Sequence, residues 1–145
     1  MRTRTCEKSG ATLGGVYIEG NKAICFWVGD VKILHFRNNE LVFESKPHSL
    51  TTELQERGIV MDAGAIASHR HIVTRSIQGD DSNPIADFYE TSQLSHDDSF
   101  LLCSDGFPLQ QIYSASFMEN MLISIQTHGI TANASDDSSV AFIAV

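Results

Sequence analysis

Two pairs of turn-forming residues divide the segment 12–45 into short strands. Gly20-Asn21 and Asn38-Asn39 each separate two runs that are rich in β-branched and aromatic residues. Both pairs tolerate the positive φ of a tight hairpin, and strands joined in this way pair antiparallel. The spacing therefore predicts a four-stranded β-meander. Its strands are Leu13 to Glu19, Lys22 to Val28, Val31 to Arg37 and Glu40 to Ser45.

The rest of the chain mixes helical and strand patterns. Ser49 can cap a helix that runs to Arg57 and ends at Gly58, and apolar residues recur at three and four from Ser114 to His128. Grouped strands and helices without βαβ alternation predict an antiparallel α+β fold, and we expect one domain over residues 1–145. The remaining predicted elements are a short helix at Asp62 to Ser68 and strands at His71 to Ser76, Ile85 to Thr91, Ser99 to Cys103 and Ser139 to Val145.

The charge balance limits the partners that the chain can bind. Its net charge is −8, which repels nucleic-acid phosphates and anionic membranes and favours cations, divalent metals above all. The longest apolar run, Ala23 to Val28, is far shorter than the about 20 residues that span a bilayer. Residues 1–8 carry no apolar segment of a secretory signal, so we expect a cytoplasmic protein that binds neither nucleic acid nor membranes.

Several kinds of catalytic site are absent from the sequence. It contains no phosphate-binding glycine-rich motif and no G-x-S-x-G elbow. Cys103 follows a buried-type strand, but no arginine comes next to hold a phosphate, so a buried thiol is the simpler interpretation. His69 and His71 would share one face of an extended segment; a zinc site and a solvated loop or core pair both remain open.

Three aspartates stand at the ends of predicted strands. Asp30 follows an aromatic strand, Asp105 follows the strand that ends at Cys103, and Asp136 precedes the last strand. Carboxylates at the rims of paired strands can converge on a hard dication, for which Mg²⁺ or Mn²⁺ is suited. Taken alone, each aspartate is more simply explained as a turn residue.

Six stretches of the chain, in order, resemble motifs of the type 2C metal-dependent serine/threonine protein phosphatases (the PPM family). The most specific runs from Asp98 through L-L-C-S-D-G-F to Phe107 and is similar to the family's D-x-x-L-L-C-S-D-G-L. The others are Gly10-Ala11-Thr12 (G-T-T), Val28 to Lys32 (V-G-D-S-R), Pro47 to Ile59 (D-H-S-L…E-L…G-I), His71 to Gly79 (N-V-L-T-R-A-L-G) and Ser135 to Val140 (D-N-I-T-V).

The resemblance implies an antiparallel β-sandwich flanked by helices, with a two-metal site at one end. There, a water activated by Mg²⁺ or Mn²⁺ would attack a phosphoserine or phosphothreonine. By position, Asp105 and Asp136 match metal ligands of the family, and Asp30 matches a ligand of a weaker third metal. Asp137 is an alternative to Asp136, and Gly106 neighbours the ligand within the S-D-G motif.

The chain departs from the family at its beginning. It lacks the family's D-G-H-G-G or D-G-M-G-G loop, which supplies the aspartate that bridges the metals. We therefore expect an N-terminally incomplete domain, resembling the family's C-terminal two thirds, with weak or absent phosphatase activity.

Two other functions remain open: a non-catalytic phosphatase-like module that binds a phosphoprotein or has a regulatory role, and an unrelated acidic α+β binding protein. Because missing strands would leave sheet edges and apolar faces open, we also expect self-association or pairing with a complementing chain.

Overall fold

The computed structural model describes residues 10–69, 71–78, 83–107 and 138–145. Within these ranges the chain forms nine strands and two helices. The strands are β1 (Gly10–Ala11), β2 (Leu13–Glu19), β3 (Lys22–Val28), β4 (Lys32–Arg37), β5 (Glu40–Glu44), β6 (Ile77–Gln78), β7 (Asp87–Thr91), β8 (Asp98–Cys103) and β9 (Val140–Ala144). The helices are α1 (Leu50–Glu56) and α2 (Ala63–His69).

Two antiparallel sheets form a sandwich. The first has the strand order β2-β3-β7 and the second β5-β4-β8-β9, while β1 and β6 form a small separate pair. Alternate residues of β3 (Ala23, Cys25 and Trp27) pack against Ile33 of β4 and Phe100 of β8, and all five are buried. The predicted antiparallel α+β sandwich with helices is therefore confirmed.

Both predicted hairpins are present, but the predicted four-stranded meander is wrong. Glu19 pairs with Lys22 across a turn in which Gly20 has φ +59°, and Asn38 and Asn39 have φ of 51° and 62° in the second turn. The third strand does not continue the first sheet, because β3 pairs with β7 and β4 pairs with β8. The physical reason is that β4 is buried on both faces. Such a strand belongs in the middle of a sheet that is covered on both sides, so β4 pairs with β8 instead of extending the first sheet.

The helices begin and end where the sequence predicts. Ser49 caps α1 by accepting a hydrogen bond from the Thr52 amide, and Gly58 follows the helix with φ +76°. Helix α2 lies within one residue of its predicted bounds. The helix predicted at Ser114 to His128 lies outside the described residues.

The strand predicted at His71 to Ser76 is wrong. Within it, Val73 makes only an isolated bridge to Ser49, and the regular pairing of β6 starts later, at Ile77. The reason is that the backbone of this segment bonds to a loop: the Leu50 amide donates to the Ile72 carbonyl, and the Thr74 amide donates to the His48 carbonyl. These two hydrogen bonds attach the segment to the start of α1 and to the loop before it.

The two sheets differ in how their outward faces are covered. The outward face of the four-stranded sheet carries a second buried cluster, formed by Leu34, Phe36, Leu101, Cys103 and Phe107. The outward face of the three-stranded sheet instead exposes large apolar side chains: Leu13 is 45% exposed, Tyr17 55% and Phe88 67%. Among the helices described here, none is long and apolar enough to span a membrane.

Candidate functional site

Strand register brings Asp30 and Asp105 to the same edge of the sandwich. Lys32, the first residue of β4, lies opposite Cys103, the last residue of β8. Asp30 is two residues before Lys32 and Asp105 is two residues after Cys103, so antiparallel pairing places both just beyond the same edge. Val140, at the start of β9, also lies opposite Cys103. Three strand ends therefore meet here.

The two carboxylates are close enough to influence each other. The pKa of Asp30 is raised above its ordinary value, first by burial and then by the negative charge of Asp105. The hydrogen bond from its own backbone amide and the neighbouring His71 partly offset this rise in pKa. Burial and the charge of Asp105 both disfavour the ionised form of Asp30. A cation bound beside this carboxylate would stabilise the ionised form.

Asp105 lies in a tight turn that is fastened to the next strand. The Phe107 amide donates to the Ser104 carbonyl at 3.1 Å, which closes the turn around Asp105 and Gly106. The Ser104 amide donates to the Ser139 carbonyl at 3.0 Å, and the Ser139 amide donates to Ser104 Oγ at 2.9 Å. These bonds hold the ends of β8 and β9 together.

Not every predicted ligand falls in the described part of the chain. Asp136 and Asp137, the family-matched ligand and its alternative, lie outside the described residues. Their roles stay predictions.

The two histidines considered for zinc do not act as a pair. His69 ends α2 and its Nδ1 is 2.8 Å from the Ala65 carbonyl, whereas His71 lies in the following turn with Nδ1 3.6 Å from Asp105 Oδ2. The segment is not extended, so the premise that both imidazoles share a strand face is wrong. In the described ranges, no three His, Cys, Asp or Glu side chains lie close enough together to hold a metal ion.

The donor chemistry at the edge nevertheless suits a hard dication. Asp30 and Asp105 supply carboxylate oxygens, which Mg²⁺ and Mn²⁺ prefer, and His71 adds an imidazole that Mn²⁺ accepts. The pKa of Asp30 is raised mainly by burial, and the nearby charge of Asp105 adds to the rise. Asp30 and Asp105 are therefore the described residues that could hold such an ion, as two ligands of a set that needs about six.

A hydrogen-bonded group that sequence reasoning missed lies directly behind Asp30. The Gly29 amide donates to His48 Nδ1 at 2.9 Å, and the His48 amide donates back to the Gly29 carbonyl at 2.8 Å. His48 Nε2 is 3.3 Å from Asp87 Oδ2, and Arg75 Nη1 donates to Asp87 Oδ1 at 2.8 Å. His48 and Arg75 both stand in stretches that resemble family motifs, which was the available signal for their importance.

The buried thiol of Cys103 is not a nucleophile. The residue is 3% exposed and burial raises the pKa of its thiol to about 12, so the thiol is neutral near pH 7. It packs with Leu34, Phe36 and Leu101 in the second buried cluster. The structural interpretation of Cys103 is therefore confirmed.

Comparison with known proteins identifies the fold. No protein-family model and no curated protein matches the chain. The serine/threonine phosphatase of S. agalactiae superposes with a TM-score of 0.68 at 26% identity, over 92% of this chain and 58% of that one. PppA of Pseudomonas aeruginosa gives 0.66 at 24%, over 94% and 58%, and PstP/Ppp of Mycobacterium tuberculosis gives 0.64 at 23%, over 90% and 58%.

The chain therefore has the fold of the PPM-type serine/threonine phosphatases, and the predicted resemblance is confirmed for the fold. It spans 58% of the length of each of these three structures.

Proposed function

We propose that this chain is part of a metal-dependent phosphatase-like domain that acts on phosphoserine or phosphothreonine in proteins. One observation carries the proposal: in a fold shared with PPM-type serine/threonine phosphatases, Asp30 and Asp105 meet at one edge of the sandwich. A catalytic domain of PstP has been crystallised with two manganese ions, which supports Mn²⁺ or Mg²⁺ as the cofactor.

Each residue at this edge has a proposed task. Asp30 and Asp105 would hold dications, and Asp136 or Asp137 would add a further ligand from outside the described residues. Gly106 follows Asp105 within the turn that the Phe107 amide closes. A bound dication would lower the pKa of a coordinated water and neutralise charge on a phosphoryl group.

We further propose that turnover by this chain alone is weak or absent. Two dications carry four positive charges, and Asp30 and Asp105 with Asp136 or Asp137 would supply three negative ones. The loop that supplies the family's metal-bridging aspartate has no counterpart in this sequence. A second candidate is a non-catalytic phosphatase-like module that binds a phosphoprotein, which the missing match to the family's bridging aspartate favours.

The test is hydrolysis of p-nitrophenyl phosphate with Mn²⁺, with Mg²⁺ and with EDTA. Any turnover should require the metal and fall by at least about 100-fold in Asp105→Ala, since ligand loss removes the activating ion. Asp97→Ala is the matched control, because Asp97 is equally exposed but precedes β8 at its other end.

Metal-dependent turnover that survives Asp105→Ala would contradict the assigned site. The absence of turnover in every condition would favour the non-catalytic module.

A further inference from the structure

The segment that follows β5 forms hydrogen bonds with the turn that carries Asp30. Ser45 Oγ accepts a hydrogen bond from the Ile33 amide at 2.8 Å, on one side of the turn. On the other side, His48 binds both backbone polar groups of Gly29, as described above. Asp30 is thus bracketed by two buried side chains, Ser45 at 1% exposure and His48 at 7%.

The hydrogen bond from Gly29 determines the state of the His48 ring. Because the Gly29 amide donates to Nδ1, that nitrogen carries no proton, so the neutral imidazole carries its proton on Nε2. Nε2 lies 3.3 Å from Asp87 Oδ2, which can accept its proton, and 3.1 Å from Arg75 Nη1, which is itself a donor and cannot. The orientation of the ring is therefore set by the carboxylate behind it, as second-sphere carboxylates orient histidines at metal sites.

The groups around the ring stabilise this state. Arg75 Nη1 binds both Asp87 Oδ1, at 2.8 Å, and the Ile85 carbonyl, at 2.9 Å. Burial alone would raise the pKa of Asp87, but hydrogen bonds from Arg75 and His48 lower it below its ordinary value. The Trp27 ring stacks on the imidazole at 6.4 Å between centroids, and Trp27 Nε1 donates to the Lys46 carbonyl.

We propose that His48 is a positioning residue for Asp30, which it holds through Gly29 by the lone pair on Nδ1, while Asp87 and Arg75 hold the imidazole. The inference rests on the proposed function in that it takes Asp30 as a dication ligand. It goes beyond that function by assigning a task to three residues that bind no metal themselves.

Two substitutions of His48 distinguish the role of Nδ1 from that of Nε2, because each places an amide near only one of these nitrogens. In His48→Asn the amide oxygen can take the place of Nδ1 and accept from Gly29, whereas in His48→Gln the amide reaches the place of Nε2 and leaves Gly29 without its partner. His48→Ala removes both. His96→Gln is the control, since the His96 side chain is 89% exposed.

The first measurement is the Mn²⁺ dissociation constant of each full-length variant, by titration calorimetry or by the EPR signal of free Mn²⁺. We expect His48→Gln and His48→Ala to bind Mn²⁺ about tenfold or more weakly, as loss of an orienting partner does at metal sites, and His48→Asn to stay within about threefold of the wild type. His48→Gln binding like the wild type, or His48→Asn binding as weakly as His48→Ala, overturns the proposal.

The second measurement is hydrogen exchange of the Gly29 amide by NMR, alongside the thermal unfolding midpoint. The amide should exchange slowly in the wild type and His48→Asn, and faster in His48→Gln. If His48 only stabilised the fold, Mn²⁺ affinity would instead fall in parallel with the thermal unfolding midpoint in all variants.

The exchange measurement needs no metal, so it separates the two proposals. Mn²⁺ binding that is absent, or unchanged by Asp30→Asn, contradicts the proposed function. The Gly29 exchange rates then still decide whether Nδ1 of His48 holds the turn.

Discussion

Asp98 shows how a single charged residue can be buried at a tolerable cost. Its side chain is fully buried at the start of β8, where His35 Nε2 lies 2.8 Å from Oδ1 and Arg37 Nε donates to Oδ1 at 2.9 Å. The Ser95 amide donates to Oδ2 at 2.7 Å. Burial would raise the pKa of Asp98, but the hydrogen bonds from Arg37, Ser95 and His35 lower it well below its ordinary value. The carboxylate therefore stays charged inside the sandwich.

Asp98→Asn should destabilise the fold in a pH-dependent way. Because the pKa of Asp98 is lower in the folded chain, its charge stabilises the fold above the unfolded pKa of about 3.9, and this stabilisation is lost as the pH falls through the folded pKa. We expect the variant to lose about 3 kcal/mol at pH 7, the cost of breaking a buried pair. The difference from the wild type should shrink below pH 4 in urea unfolding. Asp97→Asn is the exposed control, and a pH-independent difference would refute this account.

The buried thiols permit a second test at the residue scale. Cys25 and Cys103 are both buried, and burial raises the pKa of each to about 12. In a Cys6→Ser background we therefore expect no fast reaction with a thiol reagent at pH 8 in the folded chain, and two reactive thiols after unfolding in urea. Rapid labelling of the folded chain would mean that one of these thiols is accessible, contrary to the structure.

At the scale of elements, the turn between β3 and β4 decides where the site lies. Gly29 has φ +100°, and a Cβ added there would come within 2.5 Å of Thr12 Cβ. This glycine directs the chain from the first sheet into the second and places Asp30 at the edge where β8 ends. Only glycine combines this backbone angle with this lack of space.

Gly29→Ala should therefore cost more than the same change at a hairpin. Gly20 also has positive φ, but nothing lies within 4 Å of its added Cβ. We expect Gly20→Ala to lose about 1 kcal/mol from the backbone angle alone, and Gly29→Ala at least about 1 kcal/mol more because of the overlap with Thr12. Urea unfolding of both variants measures the difference. Equal losses would show that the turn adjusts freely.

Local elements were predicted well where a turn or helix-cap signal was strong. They were predicted less well where pairing with a distant segment determines the backbone conformation. Asn38-Asn39 and Ser49 act through their own backbone neighbourhood, so hairpin and helix start could be inferred from sequence. The segment His71 to Ser76 has strand-forming residues, yet its hydrogen bonds go to the loop before α1. No local pattern reports that partner.

At the scale of the whole molecule, the two sheets of the sandwich differ in how fully their outward faces are covered. The central strands of the four-stranded sheet, β4 and β8, are largely buried on both faces. The three-stranded sheet exposes Tyr17 and Phe88 on its outward side, and β2 forms its edge among the described strands. Apolar sheet faces and free edges of this kind favour association. That another chain, identical or complementary, covers this surface stays a prediction.

We expect the isolated chain to self-associate through this face. Phe88→Ser should weaken association at least about tenfold, because aromatic residues at the centre of an interface carry much of its binding energy. Val60→Ser is the matched control, since Val60 is 96% exposed in the loop after α1. Sedimentation velocity over a range of concentrations measures both variants. A wild-type chain that remains a compact monomer would contradict the prediction.

The short-range features of this protein could be inferred from its sequence: two hairpins, a capped helix, aspartates at strand ends, and a series of motifs in the order typical of the observed fold. These follow from backbone angles, periodicity and residue type, which act within a few residues. Three features depend on the tertiary structure: the division of the strands between two sheets, the proximity of Asp30 and Asp105, and the hydrogen bonds between His48 and Gly29. They depend on which strands pair and in what register, and that choice is made by burying β4 and β8 at the centre of the sandwich.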